Sequence, residues 1–213
     1  MVKNLFIAFE GIDGCGKSTQ VKLLVEKLRQ SGHRVYVTCE PTGGPIGSII
    51  RDIFNHRTEA DHRTIAGLFV ADRLDHLLNK KDGMLKMMEE GYTVITDRYY
   101  FSSYAYHGAH MPMDWVIESN SMSAGILRPD LNIYIDISPA VCMQRLHAGR
   151  SSMELYETME NLTRVRSKYF EAIEKLKLQE KIFITEGDRS PENIAAEIWA
   201  EVSRIESTAS IKD

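Results

Sequence analysis

Cysteine is scarce in this chain. Cys15, Cys39 and Cys142 are odd in number and include no C-x-x-C pair, which excludes a disulfide framework and the usual zinc spacings and leaves three reduced thiols as the expectation. Positive charge is not in excess either: 26 Lys and Arg against 30 Asp and Glu leave a formal net charge of -4. No broad basic field exists to wrap nucleic acid or to dock on an anionic membrane, so an anionic ligand has to be met by a local constellation. Long apolar runs are missing as well. Nothing approaches the roughly 20 residues that span a bilayer, and the run within MVKNLFIAFEG is far too short for a secretory core and cleavage site. The expectation is a cytoplasmic protein without nucleic-acid or membrane partners. There is no internal repeat, no low-complexity segment and no bias towards disorder. With 43% hydrophobic and 26% charged residues in 213, the chain has enough apolar material for one sizeable core. A single domain over residues 1–205 is expected, followed by a small, polar, flexible tail at 206–213.

What is present alternates. Leu5 to Phe9 is a short apolar run that ends at a glycine-rich turn, and Ser18 to Gln30 follows with Val21, Leu24, Val25 and Leu28 at helical spacing. Further strand-like runs lie at Val35 to Thr38, Thr93 to Thr96, Leu131 to Ile137 and Ile182 to Thr185. Helical segments are expected at Ile46 to Phe54, Arg63 to Leu78 after the capping residue Asp61, Met84 to Glu90, around Ser102 to Ala105, Met113 to Gly125, Pro139 to His147, Leu155 to Leu178 and Pro191 to Ile205. Strands alternating with helices predict an α/β protein: a five-stranded parallel sheet with helices on both faces and ligands beyond the carboxyl ends of the strands.

Gly11-Ile12-Asp13-Gly14-Cys15-Gly16-Lys17-Ser18 fits G-x-x-x-x-G-K-[ST], and it lies where the mechanism needs it, after a strand and opening a helix. Glycines there let successive N–H groups turn inward on phosphate oxygens. Lys17 adds a mobile charge, and Ser18 can ligate Mg²⁺. The fold expected is therefore that of P-loop NTPases, with Gly11, Asp13, Gly14, Gly16, Lys17, Ser18 and Thr19 around the ATP phosphates. A phosphate site does not fix a reaction. Asn79-Lys80-Lys81-Asp82 resembles a guanine-reading signature but precedes the Thr93 strand, and no D-x-x-G follows Asp97, so the segment reads as a charged helix end and a GTP switch is disfavoured.

Four segments, in order, resemble thymidylate kinase motifs: Phe9 to Thr19, Glu40-Pro41, Leu68-Phe69-Val70-Ala71-Asp72-Arg73 and Asp97-Arg98-Tyr99. The joint F-x-A-D-R and D-R-Y pattern is the discriminating part. The resemblance implies transfer of the γ-phosphoryl group of ATP to dTMP, with Mg²⁺, by a homodimer. Phe69 and Arg73, four apart on one helix face, would stack on the thymine and hydrogen-bond a ring carbonyl. Arg98 would hold the acceptor phosphate, with Arg51 as a second arginine. Asp97 would serve Mg²⁺ and the phosphoryl centre together with Ser18, partly through water, and Asp13 would meet the sugar 3′-hydroxyl. Glu40, Pro41, Ser102, Ser103 and Tyr106 complete the acceptor side, Tyr106 crowding a ribose 2′-hydroxyl. Tyr104 departs from bacterial relatives that carry a small or amide side chain there.

Catalysis of phosphoryl transfer is mostly alignment and charge neutralisation, so further arginines are expected to reach the reacting group. In the family one comes from the P-loop, just after the Asp, or from the lid. Gly14 occupies that P-loop position here, which makes a short lid at about 145–157 the source. Arg150 is the transition-state candidate, Arg145 lies near the adenine, and Arg164 or Arg166 could substitute. A kinase for another monophosphate or a deoxynucleoside, and a nucleotide-dependent regulatory module, are the competing readings. His107 and His110 lack metal-ligand spacing and read as surface histidines.

Overall fold

The strands of the computed structural model, which describes residues 4–149 and 155–209, are β1 (Phe6–Glu10), β2 (Arg34–Cys39), β3 (Tyr92–Asp97), β4 (Leu131–Asp136) and β5 (Ile182–Glu186). They form one sheet in the order β2-β3-β1-β4-β5, with every pairing parallel. β1 sits at the centre because all five of its residues, alternating between the two faces, are buried. Only a strand covered on both sides can carry so continuous an apolar run. β2, at one edge, alternates between buried and exposed positions instead.

Around the sheet lie α1 (Lys17–Gln30), α2 (Pro45–Phe54), α3 (His62–Leu78), α4 (Met84–Glu89), α5 (Tyr100–Gly108), α6 (Met113–Ser119), α7 (Ser121–Ile126), α8 (Pro139–Gly149), α9 (Met159–Leu176) and α10 (Pro191–Ala209). α1 packs with α10, and α5 with α9. The main core joins sheet residues such as Phe6, Ile95 and Ile133 to Leu28, Tyr99, Val165 and Ile198; Ile50, Ile53, Ile65 and Phe69 make a smaller apolar cluster between α2 and α3. Asp61 caps α3 by accepting from the Arg63 amide at 2.9 Å, as the sequence suggested.

Three expected helices have different limits. Met113 to Gly125 is two helices, because Asn120 turns its amide back onto the Val116 carbonyl at 2.8 Å and accepts a hydrogen bond from Arg73. The long helix starts at Met159 and not at Leu155: Thr158 caps it through the Asn161 amide, and Tyr156 and Glu157 turn inward and are buried. α10 runs past the expected end at Ile205 to Ala209, one turn into the segment expected to be a flexible tail. That turn is tied down by Glu206, which meets the buried His33 at 2.5 Å.

The chain leaves β1 for the β2-β3 side of the sheet and returns past it to β4 and β5, so the order reverses at β1. Crevices form beyond the carboxyl ends of strands at such a point. Glu10, Asp97 and Asp136 terminate β1, β3 and β4 there.

Candidate active site

Between β1 and α1 the backbone makes a turn that only glycine permits. Gly11 and Gly14 have φ of 142° and 81°, and a Cβ would lie 2.8 Å from the Ile135 carbonyl oxygen at Gly11 and 2.8 Å from that of Cys142 at Gly14. Gly16, left-handed as well, precedes the first residue of α1, so the helix amino terminus faces the turn. Lys17 is buried, its Nζ donating to the carbonyls of Gly11 (2.9 Å) and Ile12 (3.2 Å). An anionic ligand would find there a helix dipole, inward amides and one ammonium group.

A cavity of about 690 Å³ opens over this turn. It is lined by Asp13, Gly14, Gly16, Lys17, Ser18 and Thr19, by Asp97 and Arg98 from the end of β3, and by Arg145 and Leu146 of α8. Arg145 donates to the Gly187 carbonyl at 3.3 Å and pairs with Asp188 at 3.6 Å, which holds it at the rim far from Phe69 in sequence but beside the phosphate turn. Ser18 Oγ donates to Asp97 Oδ2 at 3.2 Å, whereas Asp97 Oδ1 is buried and has no hydrogen-bond partner. A buried carboxylate oxygen without a partner beside a serine hydroxyl suits a hard divalent cation. Among the described residues no three His, Cys, Asp or Glu side chains converge as a metal cage. An ion here would complete its shell from nucleotide phosphates and water.

A second cavity, of about 310 Å³, adjoins the first through Asp13, Cys39, Glu40 and Arg98. Pro41, Arg51, Phe69, Ser102, Ser103 and Tyr106 line it, so the candidates chosen from four separate stretches of sequence meet in one place. Arg51 is held towards it by donating to the Pro41 carbonyl at 3.0 Å. Arg98 occupies the junction. It pairs with Asp13 at 2.5 Å, and Tyr106 donates its hydroxyl to the other Asp13 oxygen at 2.7 Å. Burial alone would raise the Asp13 pKa, but the charges of Arg98 and Lys17 and the Tyr106 hydroxyl outweigh it and hold Asp13 down at about 2.

Arg73 stands apart from its expected place. It is completely buried and does not line the cavity; its guanidinium pairs with Glu40 at 2.5 Å and donates to Ser103 at 3.0 Å and to Asn120. Glu40 in turn meets His76 at 3.1 Å. Position 73 shares a helix with Phe69, yet only Phe69 reaches the cavity surface. Arg150 lies outside the described residues. The two substitutes are engaged elsewhere: Arg166 is bidentate on Asp136 at 2.7 Å for both bonds, and Arg164 pairs with Glu160.

Several lining residues were not expected in the acceptor pocket: Phe54 and Asn55 from the end of α2, Tyr156 and Glu157 from the end of the expected lid, and His107. His107 is not a surface histidine, and His110 is half-buried. His107 is 2% exposed, and burial together with nearby Arg73 lowers its pKa to about 3; His110 stacks on His62 with ring centres 3.7 Å apart and falls to about 4, again mainly by burial. α5 buries all nine of its residues, so no periodicity marks an outer face. Behind Arg98 lies Glu10, 1% exposed, which accepts from the Tyr99 amide (2.9 Å), Ser102 (2.6 Å) and the Tyr169 hydroxyl (3.1 Å). Burial raises its pKa to about 7 against those hydrogen bonds and the Arg98 charge.

Comparison with known proteins gives the family. The family model described as thymidylate kinase matches residues 9–198. A protein called "probable thymidylate kinase" from Pyrobaculum aerophilum is 36% identical over 201 residues, 94% of this chain and 97% of that one. Its counterpart from Pyrobaculum calidifontis is 42% identical over 166 residues, 78% and 80% of the two chains. A "thymidylate kinase" from Leptospira borgpetersenii is 33% identical over 196 residues, 92% and 91%. The match spans both cavities and the sheet that joins them, and the chain belongs to the thymidylate kinase family.

Proposed function

We propose that the protein transfers the γ-phosphoryl group of ATP to dTMP, giving dTDP and ADP. The observation that carries this reading is the junction of the two cavities at Asp13 and Arg98: a phosphate cradle on one side, a nucleoside-sized pocket on the other, and an arginine between them. An acceptor that already carries an anionic phosphate needs cations more than a general base. Arg98, with Arg51 across the pocket, supplies them, and Arg98 exchanges its Asp13 partner for the phosphate on binding. Asp13 and Tyr106 then face the sugar; Phe69, Ser103 and His107 face the base, with Arg73 one layer behind as the anchor of Ser103.

On the donor side, the P-loop amides and Lys17 hold the phosphates and Arg145 flanks the adenine. Ser18 and Asp97 are the residues that would hold Mg²⁺, which, when bound, neutralises charge on the transferring group. Arg150, in a short lid over residues 145–157 of a single domain, brings the remaining positive charge. Among the described residues no helix is long and apolar enough to cross a membrane. A cytoplasmic location fits ATP as the donor and the three free thiols. Exposed Leu78 at the end of α3 and Met122 on the adjoining α7 support a homodimer through that face.

ADP release from ATP and Mg²⁺ across dTMP, dUMP, dCMP, dGMP, UMP, AMP and thymidine tests the acceptor. Preferential turnover of dTMP is expected. One methyl group in an apolar pocket discriminates by only about 10- to 200-fold, so slower dUMP turnover is expected as well. Turnover of thymidine but of no monophosphate would replace this reading by that of a nucleoside kinase.

A further inference from the structure

Arg98 has a backbone that a non-glycine residue seldom adopts, with φ of 75°. What holds it there is not in the pocket. Its own amide donates to the Phe9 carbonyl at 2.9 Å, and the next amide, Tyr99, donates to Glu10 Oε1. The guanidinium is steadied from the same source. Its Nη1 donates to Ser102 Oγ at 3.0 Å and contacts the Tyr169 hydroxyl at 3.4 Å, and both hydroxyls hydrogen-bond Glu10 Oε2. One carboxyl group at the end of β1 therefore braces Arg98 through the next amide and, by way of two hydroxyls, through its guanidinium, with partners from the β3–α5 junction, α5 and α9.

Resting on the proposed role of Arg98 on the acceptor phosphate, we propose that Glu10 is a positioning residue for Arg98 and takes up a proton when the acceptor phosphate arrives.

The argument for proton uptake is electrostatic. Among the described residues, the groups around Glu10 are Ser102 and Tyr104 of α5, Tyr169 of α9, Tyr134 beside it in register on β4, and Tyr99 and Arg98 after β3; Asp13 and Tyr106 lie on the far side of Arg98. Arg98 is the only cation among them, and after the Ser102 hydrogen bond its charge does most to favour the carboxylate against burial. Asp13 already offsets part of that charge in the free protein; a phosphate dianion that takes its place on Arg98 puts more negative charge there while Asp13 stays close by, which shifts Glu10 towards the neutral carboxyl. Protonation costs the network little. Glu10 Oε1 still accepts from the Tyr99 amide, and the acid can donate to Ser102 or Tyr169, both of which accept as readily as they donate. Because the free group titrates near neutrality, at about 7, a rise of one unit would take up roughly half a proton per site at pH 7.5.

Calorimetric titration of the protein with dTMP at pH 7.5 to 8, in buffers of different ionisation enthalpy, counts these protons. At that pH the free nucleotide phosphate is already largely dianionic and contributes little. The expected result is uptake of a fraction of a proton by the wild type, falling to none in Glu10→Gln with dTMP still bound. Tyr169→Phe removes a hydrogen bond that favours the carboxylate, so the pH of maximal uptake moves upward; this variant serves even where Glu10→Gln does not fold. A merely structural Glu10 would leave the proton count unchanged. Binding without buffer-dependent heat, or uptake undiminished in Glu10→Gln, would overturn the inference and leave the acceptor reading intact. No binding of dTMP at all would overturn both.

Discussion

Replacing Arg73 by Met should cost far more stability than its distance from the pocket surface suggests. The guanidinium is 0% exposed, pairs with Glu40 at 2.5 Å, donates to Ser103 and Asn120, and lies 5.4 Å from the centre of the Tyr99 ring. Methionine fills much of the volume but leaves the Glu40 carboxylate, itself 4% exposed, with the His76 ring at 3.1 Å in place of a fixed cation. Breaking a buried pair by deleting one partner costs about 3–5 kcal/mol. For a chain of this size each kcal/mol moves the midpoint by about 2–4 °C, so the expected fall in Tm is roughly 6–20 °C. Thermal and urea unfolding of Arg73→Met, Glu40→Gln and the double variant make the cycle. The double variant should recover most of the loss, since no unpaired charge remains. A loss under about 1 kcal/mol for Arg73→Met, or a double variant no better than the sum of the singles, would refute the argument that this pair is a closed, buried unit.

Lys17→Met should lower the rate of transfer by about 10²- to 10³-fold, the usual cost of deleting one charge-stabilising donor, with the fold intact by circular dichroism. Arg150→Ala should lower kcat by a large factor with the acceptor KM nearly unchanged in steady-state kinetics, because its contact is made in the transition state; an unaltered kcat would remove it from the mechanism. Stability should respond to pH in two opposed ways. Asp13, lowered from 3.8 to about 2, stabilises the fold by about 2 kcal/mol above pH 4, and this is lost as pH falls towards 2. Glu10, raised from 4.5 to about 7, does the reverse: the folded state keeps a proton that the unfolded chain has lost, so stability falls by about 3 kcal/mol as pH rises from 4.5 to 7. Urea unfolding across pH 3 to 8 should show that decline flattened in Glu10→Gln.

The residues legible in the sequence were those whose chemistry is local. The turn from Gly11 to Ser18 constrains its own backbone through glycine, and β1 declares itself by an apolar run, so the cradle and its flanking strand are legible in the sequence; the strand order is not. The meeting of Arg51, Phe69 and Arg98 around one cavity was legible only through the family pattern, since they lie on α2, α3 and the end of β3. Glu10 falls inside the Phe9 to Thr19 segment with no role of its own there, and Tyr169 lies in a helix that carries no motif. Their hydrogen bond joins residues 159 apart, and nothing near either one announces it. The pocket role expected of Arg73 comes from the family resemblance, and its spacing to Phe69 adds a shared helix face but no depth. Depth came from Glu40, Ser103 and Asn120, which draw the guanidinium inward. His107 shows the complementary gap: the absence of metal-ligand spacing leaves a surface histidine as the expectation, whereas α5 is enclosed on every side.

The central claim is that a phosphoryl group crosses from the P-loop cavity to an acceptor seated on Arg98. Following label from [γ-³²P]ATP into dTDP, with wild-type protein and Arg98→Ala side by side, tests it most directly. The account predicts label in dTDP with the wild type and a loss of transfer of at least about 10²-fold in Arg98→Ala. Label released only as inorganic phosphate, or dTDP formed equally well without Arg98, would contradict it.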